Sequence, residues 1–154
     1  MLTHPTHIIG LVIVDHGSRR QAANDMLLEV VAMFKRVANA GIVEPAHMEI
    51  AEPTIAQAFD ECVAQGATLV IVHPYFLSPG RHSTTDIPTL TAAAAARHPN
   101  IPFHVTEPLG LDEKIVQVIQ QRISECLKSD LHCAGSSATG SVIPFTGGPT
   151  EPRA

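Results

Sequence analysis

His7-Ile8-Ile9-Gly10-Leu11-Val12-Ile13-Val14 is an apolar run that stops abruptly on Asp15-His16-Gly17-Ser18. A strand wetted on one face alternates apolar with polar residues, whereas six of these eight are Ile, Leu or Val. The run therefore predicts a strand buried on both faces, leading into a polar loop. A helix follows, with Met26, Val30, Met33, Phe34 and Val37 recurring at spacings of three and four and Gly41 just beyond its end.

The same alternation continues along the chain. Ala46 to Ile50 is short enough for a second strand, and Pro53-Thr54 opens a helix in which Thr54 and Gln57 have the spacing of a capping box, closed by Gly66. Thr68 to Tyr75 is a β-branched run ended by the turn-forming Ser78-Pro79-Gly80. Asp86, with Pro88 in the first turn, starts an alanine-rich helix through Ala96, with Ser83 as a second candidate cap. Ile101 to Thr106 supplies a fourth strand, and after Asp112 a helix carries Ile115, Ile119, Ile123 and Leu127 on one face. Four β-α repeats with right-handed crossovers predict a parallel sheet with helices on both faces. From residue 129 the composition turns to Ser, Gly, Thr and Pro without periodicity, and residues 129–154 are expected to be a disordered tail.

Composition narrows the function classes. A chain of 154 residues, 45% hydrophobic, supports one core and is too short for two ordinary domains. The formal net charge of −5, with ten scattered Lys and Arg, lacks the basic face that nucleic-acid binding needs. Cys62, Cys126 and Cys133 make no CxxC pair and an odd count, which points to a reducing compartment and away from a disulfide framework or a cysteine zinc site. No apolar run approaches the roughly 18 residues that span a bilayer, and no basic segment followed by an apolar stretch opens the chain. A soluble protein that is not secreted is expected.

In open parallel sheets, ligands bind outside the carboxyl ends of the strands. Here those positions carry Asp15-His16-Gly17-Ser18-Arg19-Arg20 after the first strand, Glu49 and Glu52 at the end of the second, and His73, Tyr75, Arg81 and His82 with the third. Imidazole and carboxylate on one rim suit a borderline divalent metal, and the same groups accept protons. Each also has a plainer reading: His16 could hydrogen-bond its own loop, and Glu49 and His82 could be solvated surface groups. His47, His73, His98 and His104 are expected to be structural or solvated, and His4 and His7 to sit at a frayed terminus. Neither GxGxxG nor GxxxxGK[ST] is present, so a nucleotide site lacks its specific residues.

Three ordered blocks carry a family resemblance. Ile13 to Arg19, then Val43-Glu44-Pro45-Ala46-His47-Met48-Glu49 with Ala51-Glu52-Pro53-Thr54-Ile55, then Pro74 to His82 with Asp86-Ile87-Pro88, resemble the motifs of the sirohydrochlorin chelatases. The likeness is to the class II chelatases of siroheme and cobalamin synthesis, above all the plant and algal ferrochelatase type. It implies a single chelatase-like, flavodoxin-like α/β domain over residues 7–128, with a four-stranded parallel sheet. It also implies a lyase that inserts Fe²⁺ into sirohydrochlorin to form siroheme. The alternatives are a cobaltochelatase of cobalamin biosynthesis, or a metal- or tetrapyrrole-binding protein without catalysis.

Carried over by motif, His16 and His82 correspond to the family's metal-binding and catalytic histidines, and Glu49 to their acidic partner. The substrate is a polycarboxylate macrocycle, so Arg19, Arg20 and Arg81, with Ser18, are candidate substrate-binding residues. A single-lobed chain implies a homodimer, because longer relatives face two such lobes across the cleft. Plant members carry a cysteine-rich carboxyl-terminal segment associated with an iron–sulfur cluster; with only Cys126 and Cys133 in that region here, no cluster is expected. Without a stretch resembling a transit peptide, a bacterial cytoplasm is as consistent as a plastid stroma.

Overall fold

The buried run is the second of four parallel strands. A computed structural model of the chain describes residues 6–128; the expectations for His4, for Cys133 and for a disordered tail over 129–154 lie outside the described residues. The elements are β1 (Ile9–Asp15), α1 (Gln21–Ala38), β2 (Ile42–His47), α2 (Ile55–Ala64), β3 (Leu69–Pro74), α3 (Ile87–Ala95), β4 (Phe103–Val105) and α4 (Glu113–Lys128). They divide into two units at Gly110. The first holds the sheet and α1 to α3; in the second, α4 carries Glu113 in its first turn and Lys128 in its last, the arrangement its dipole favours.

The sheet order is β2-β1-β3-β4, all parallel. The chain steps from β1 outward to β2, then returns across β1 to β3, so β1 and β3 flank the point where the direction of winding reverses. β1, paired on both edges, accordingly contains three buried residues in succession, Val12, Ile13 and Val14. Val12 and Val14 join Ala46, Val70 and Val72 in a core sealed by Phe59 of α2 and Ala94 of α3. Ile13 and Val43 face the opposite way and meet Leu27 and Val31 of α1. Helices thus cover both faces, as the repeat pattern predicts.

Local chemistry explains most boundaries. Thr54 accepts from the Gln57 amide while the Gln57 side chain accepts from the Thr54 amide, the reciprocal cap expected from the spacing. Gly66, at φ +98°, ends α2 in a conformation that few other residues tolerate. Cys62 behaves as a core hydrophobe, since burial, with Glu44 and Glu61 nearby, pushes its thiol up to about 12.

Three expectations need correction. β2 begins at Ile42 and ends at His47, so Glu49 lies beyond the strand and not within it. Pro45 is tolerated there because β2 is the edge strand. In α1 the buried stripe is Asn24, Leu27 and Val31, whereas Met26, Met33, Phe34 and Val37 are exposed; two apolar stripes of similar quality lie side by side on that helix, and sheet packing selects the other one. Finally, neither Asp86 nor Ser83 caps α3. A π-helical turn, His82–Asp86, runs straight into it, Asp86 has helical angles and makes no capping bond, and Ser83 exchanges hydrogen bonds with Gly80.

Two stability predictions follow from the packing. A Cβ on Gly10 would lie 2.8 Å from both Ala67 Cβ and Cys62 Cβ, while one on Gly41 meets nothing within 4 Å. Gly10→Ala should cost about 1–3 kcal/mol in urea unfolding, and Gly41→Ala should be neutral or stabilising. Burial also lowers the pKa of His73 from 6.5, with its Nδ1 2.7 Å from Thr106 Oγ1. The unfolded chain then binds the extra proton first as pH falls, so stability declines below about pH 6.5. His73→Gln should flatten that decline in thermal melts between pH 7.5 and 5.5.

Candidate functional site

The reversal between β1 and β3 leaves a crevice at the carboxyl edge of the sheet, the usual ligand position in doubly wound sheets. Three loops meet around it: residues 16–20 after β1, 48–54 after β2, and the segment after β3 that leads into the π-helical turn. His16, Glu49 and His82 each come from a different one of these loops.

The first two loops are bolted together by the backbone. Met48 N donates to Asp15 O at 2.8 Å and Glu49 N to His16 O at 3.1 Å, continuing the β1–β2 pairing past the strand ends. Gly17 allows that approach. It sits at φ +86°, and a Cβ there would fall 2.0 Å from the Glu49 carbonyl oxygen, an overlap no side chain could relieve. The Asp15 carboxylate stiffens the junction by accepting from Gly17 N at 2.9 Å and from His47 Nδ1 at 2.6 Å, with the His47 side chain only 1% exposed. Ser18 and Asn24 close the β1 loop reciprocally: Asn24 Oδ1 accepts from Ser18 N, and Asn24 Nδ2 donates to Ser18 O, both at 2.9 Å.

Glu49 is followed by a strained turn. Ile50 has φ +72°, rare for a β-branched residue, and Ala51 N donates across it to Glu49 O at 2.8 Å. Such outliers persist where the surroundings enforce them and often mark functional positions. The turn presents the Glu49 carboxylate to His16, whose Nε2 lies 2.8 Å from Glu49 Oε1. His16 Nδ1 lies 3.2 Å from Gly17 O. The His82 ring stands edge-on to that of His16, centroids 5.1 Å apart and planes at 79°. All three side chains are about half exposed, at 40%, 54% and 49% for His16, Glu49 and His82.

These three form a cluster open to solvent, not a closed cage. Among the described residues no group of three His, Cys, Asp or Glu side chains is gathered tightly enough to hold a metal ion as it stands. His16 and Glu49 are bonded to one another, and His82 Nδ1 donates to Asp86 Oδ2 at 2.9 Å. A cleft of about 370 Å³ lined by Met48, Glu49, His82, Asp86, Thr89 and Leu90 opens beside them.

The candidate cations are less fixed. Arg19 and Arg20 are exposed in the β1 loop, and Arg81, 86% exposed, has Nε 3.9 Å from Asp86 Oδ1. The Ser18 hydroxyl accepts from Arg20 N at 3.0 Å and so serves the loop in this structure. His98 donates to Asp60 at 2.6 Å and stacks on Phe59, both of α2 and neither in these loops, and His104 is exposed. Asn24 and Asp86 do work at the site that sequence reasoning does not assign, and His47, expected to be structural or solvated, is structural through its bond to Asp15. The only legible hint is that His47 and Asp86 belong to the quoted motifs.

The sequence matches the CbiX family over residues 10–126, a span that includes every residue of the cluster. Sirohydrochlorin ferrochelatase, chloroplastic, of Arabidopsis thaliana is 50% identical over 83% of this chain and 60% of its own length. Sirohydrochlorin cobaltochelatase of Methanocaldococcus jannaschii is 35% identical over 73% of this chain and 95% of its own. Among solved structures, the cobalt complex of the sirohydrochlorin chelatase SirB from Bacillus subtilis subspecies spizizenii superposes with a TM-score of 0.72 at 34% identity. That match covers 76% of this chain and 50% of SirB. The chain therefore spans 50–60% of the plant and Bacillus relatives and nearly the whole of the archaeal one. By the extent of the family match and the shared α/β architecture, the chain belongs to the CbiX family.

Proposed function

We propose that this chain is a sirohydrochlorin chelatase that inserts Fe²⁺ into the macrocycle to form siroheme, with His16, Glu49 and His82 as the metal-handling and catalytic residues. The observation that carries the reading is the convergence of two imidazoles and a carboxylate from three separate loops on one open crevice. Iron is preferred over cobalt because the relative 50% identical is named a ferrochelatase, while the cobaltochelatase of the archaeon is 35% identical.

Insertion exchanges two pyrrole protons for one divalent ion, so the site must release a metal and accept protons at the same place. Imidazole nitrogen and carboxylate oxygen hold Fe²⁺ or Co²⁺ without irreversible capture, and both are bases near neutral pH. The hydrogen bond between His16 Nε2 and Glu49 Oε1 already carries a proton between two heavy atoms. Metal binding displaces that proton and opens the pair. When the ion moves into the ring, the vacated pair takes the pyrrole protons and passes them to solvent, to which both side chains are open. His82, across from His16, completes the grip on the ion.

The macrocycle needs an apolar resting face and peripheral cations. Ile50 and Leu77 are exposed on two of the loops and Leu90 lines the cleft. Arg19, Arg20 and Arg81 would meet the substrate's carboxylates, with Ser18 holding the β1 loop in shape. A second copy of the chain would cover the other side of the ring, giving a twofold dimer.

Anaerobic spectrophotometry of sirohydrochlorin with Fe²⁺ or Co²⁺ tests the reading. The expected result is a rate above the enzyme-free reaction, faster with Fe²⁺, falling by at least about 100-fold in His16→Ala and His82→Ala, the scale of a lost acid–base contribution. Glu49→Gln should fall less if His16 alone can take a proton. A wild-type rate equal to the enzyme-free rate with both metals would overturn catalysis.

A further inference from the structure

Histidines that hand a metal on must present one particular nitrogen. An unsupported neutral imidazole exchanges its proton between Nδ1 and Nε2 and turns about its side-chain bonds, so only part of its population offers a lone pair in the right place. His16 has an acceptor beside each ring nitrogen, Gly17 O at Nδ1 and Glu49 Oε1 at Nε2, and a neutral ring donates to one of them. His82 has a different support.

His82 and Asp86 are the first and last residues of the π-helical turn, in which the Ile87 amide reaches back to the His82 carbonyl. Single π turns inside α-helices recur at functional sites because they redirect side chains without ending the helix. Here the turn sets the imidazole and the carboxylate in register, with His82 Nδ1 2.9 Å from Asp86 Oδ2. Asp86 has no other structural duty that would explain it: its side chain makes no capping bond to α3, and Arg81 approaches its second oxygen only at 3.9 Å. His82, Asp86 and Glu49 all line the same cleft.

We propose that Asp86 is a positioning residue for His82, accepting the Nδ1 proton so that the ring is held in one orientation with the Nε2 lone pair offered to the incoming ion. This rests on the reading of His82 as a metal ligand. The arrangement is a carboxylate–histidine–metal relay, in which the carboxylate fixes the tautomer and raises the ligand's basicity. It also divides the labour: the proton of the His16–Glu49 pair is displaced by the metal, whereas the proton of the His82–Asp86 pair stays where it is throughout.

Co²⁺ binding to the full-length chain, followed by equilibrium dialysis and visible absorption without any tetrapyrrole, separates this role from a merely structural one. Asp86→Ala should bind Co²⁺ about 10–100-fold more weakly than wild type, raise the KM for metal in the insertion assay more than it lowers kcat, and leave the thermal midpoint unchanged. Asp86→Asn retains a neutral acceptor for the Nδ1 proton and should recover most of the lost affinity. His82→Ala is the reference. If His82→Ala loses Co²⁺ but Asp86→Ala binds it like wild type, or if Asp86→Asn is as defective as Asp86→Ala, the positioning role is wrong and the ligand role of His82 stands. If His82→Ala itself binds Co²⁺ like wild type, His82 is not a ligand and both readings fall.

Discussion

The Asp15 carboxylate is the point on which the site's geometry depends. It accepts from the amide of Gly17 and from the buried ring of His47, and so ties the end of β1 to the end of β2. Because Gly17 has no Cβ, the Glu49 carbonyl can close onto it, and the amides of Met48 and Glu49 extend the sheet pairing by two further bonds. His16 and Glu49 are then neighbours by backbone construction, not by the chance meeting of two flexible side chains. Fixing both loops before a ligand arrives lowers the ordering cost of binding.

The third contribution arrives by a different route. β3 is the neighbour of β1 on its other edge, so the segment after β3 necessarily emerges across the winding reversal from His16. A loop alone would leave His82 mobile. The π-helical turn places it instead at the start of a helix that is sealed against the core along its length through Ile87, Thr91 and Ala94. The crevice therefore has one wall set by sheet hydrogen bonds and another set by helix packing, and the side chains of His16, Glu49 and His82 remain half exposed where a flat ligand could reach them. An Fe²⁺- or Co²⁺-handling role fits this mixture of a rigid frame and an open mouth.

Much of this was legible beforehand, for physical reasons that differ by element. β1 is recognisable because a strand buried on both faces must be apolar, β3 by its β-branched run, and α2 because Thr54 and Gln57 cap it reciprocally. The rim position of His16, Glu49 and His82 follows from the parallel alternation once the strands are placed. The burial of α1 was not legible: its sequence offers two apolar stripes, and only the sheet decides that Leu27 and Val31 go inward. The extent of β2 was hidden by Pro45, which argues against a strand unless the strand is known to lie at an edge. What His47 braces and what Asp86 supports escaped because those roles are relational. Nothing in a buried histidine or a helix-start aspartate says which loop it braces until the fold brings that loop alongside.

Soaking crystals of the chain with Co²⁺ and locating the ion by anomalous scattering tests the central claim most directly. The account predicts a single ordered ion in the crevice, bound by Nε2 of both His16 and His82 and by the Glu49 carboxylate, with the His16–Glu49 hydrogen bond broken. An ion settled elsewhere, at the Asp60–His98 pair for instance, with His16 still bonded to Glu49 and His82 unliganded, would contradict it.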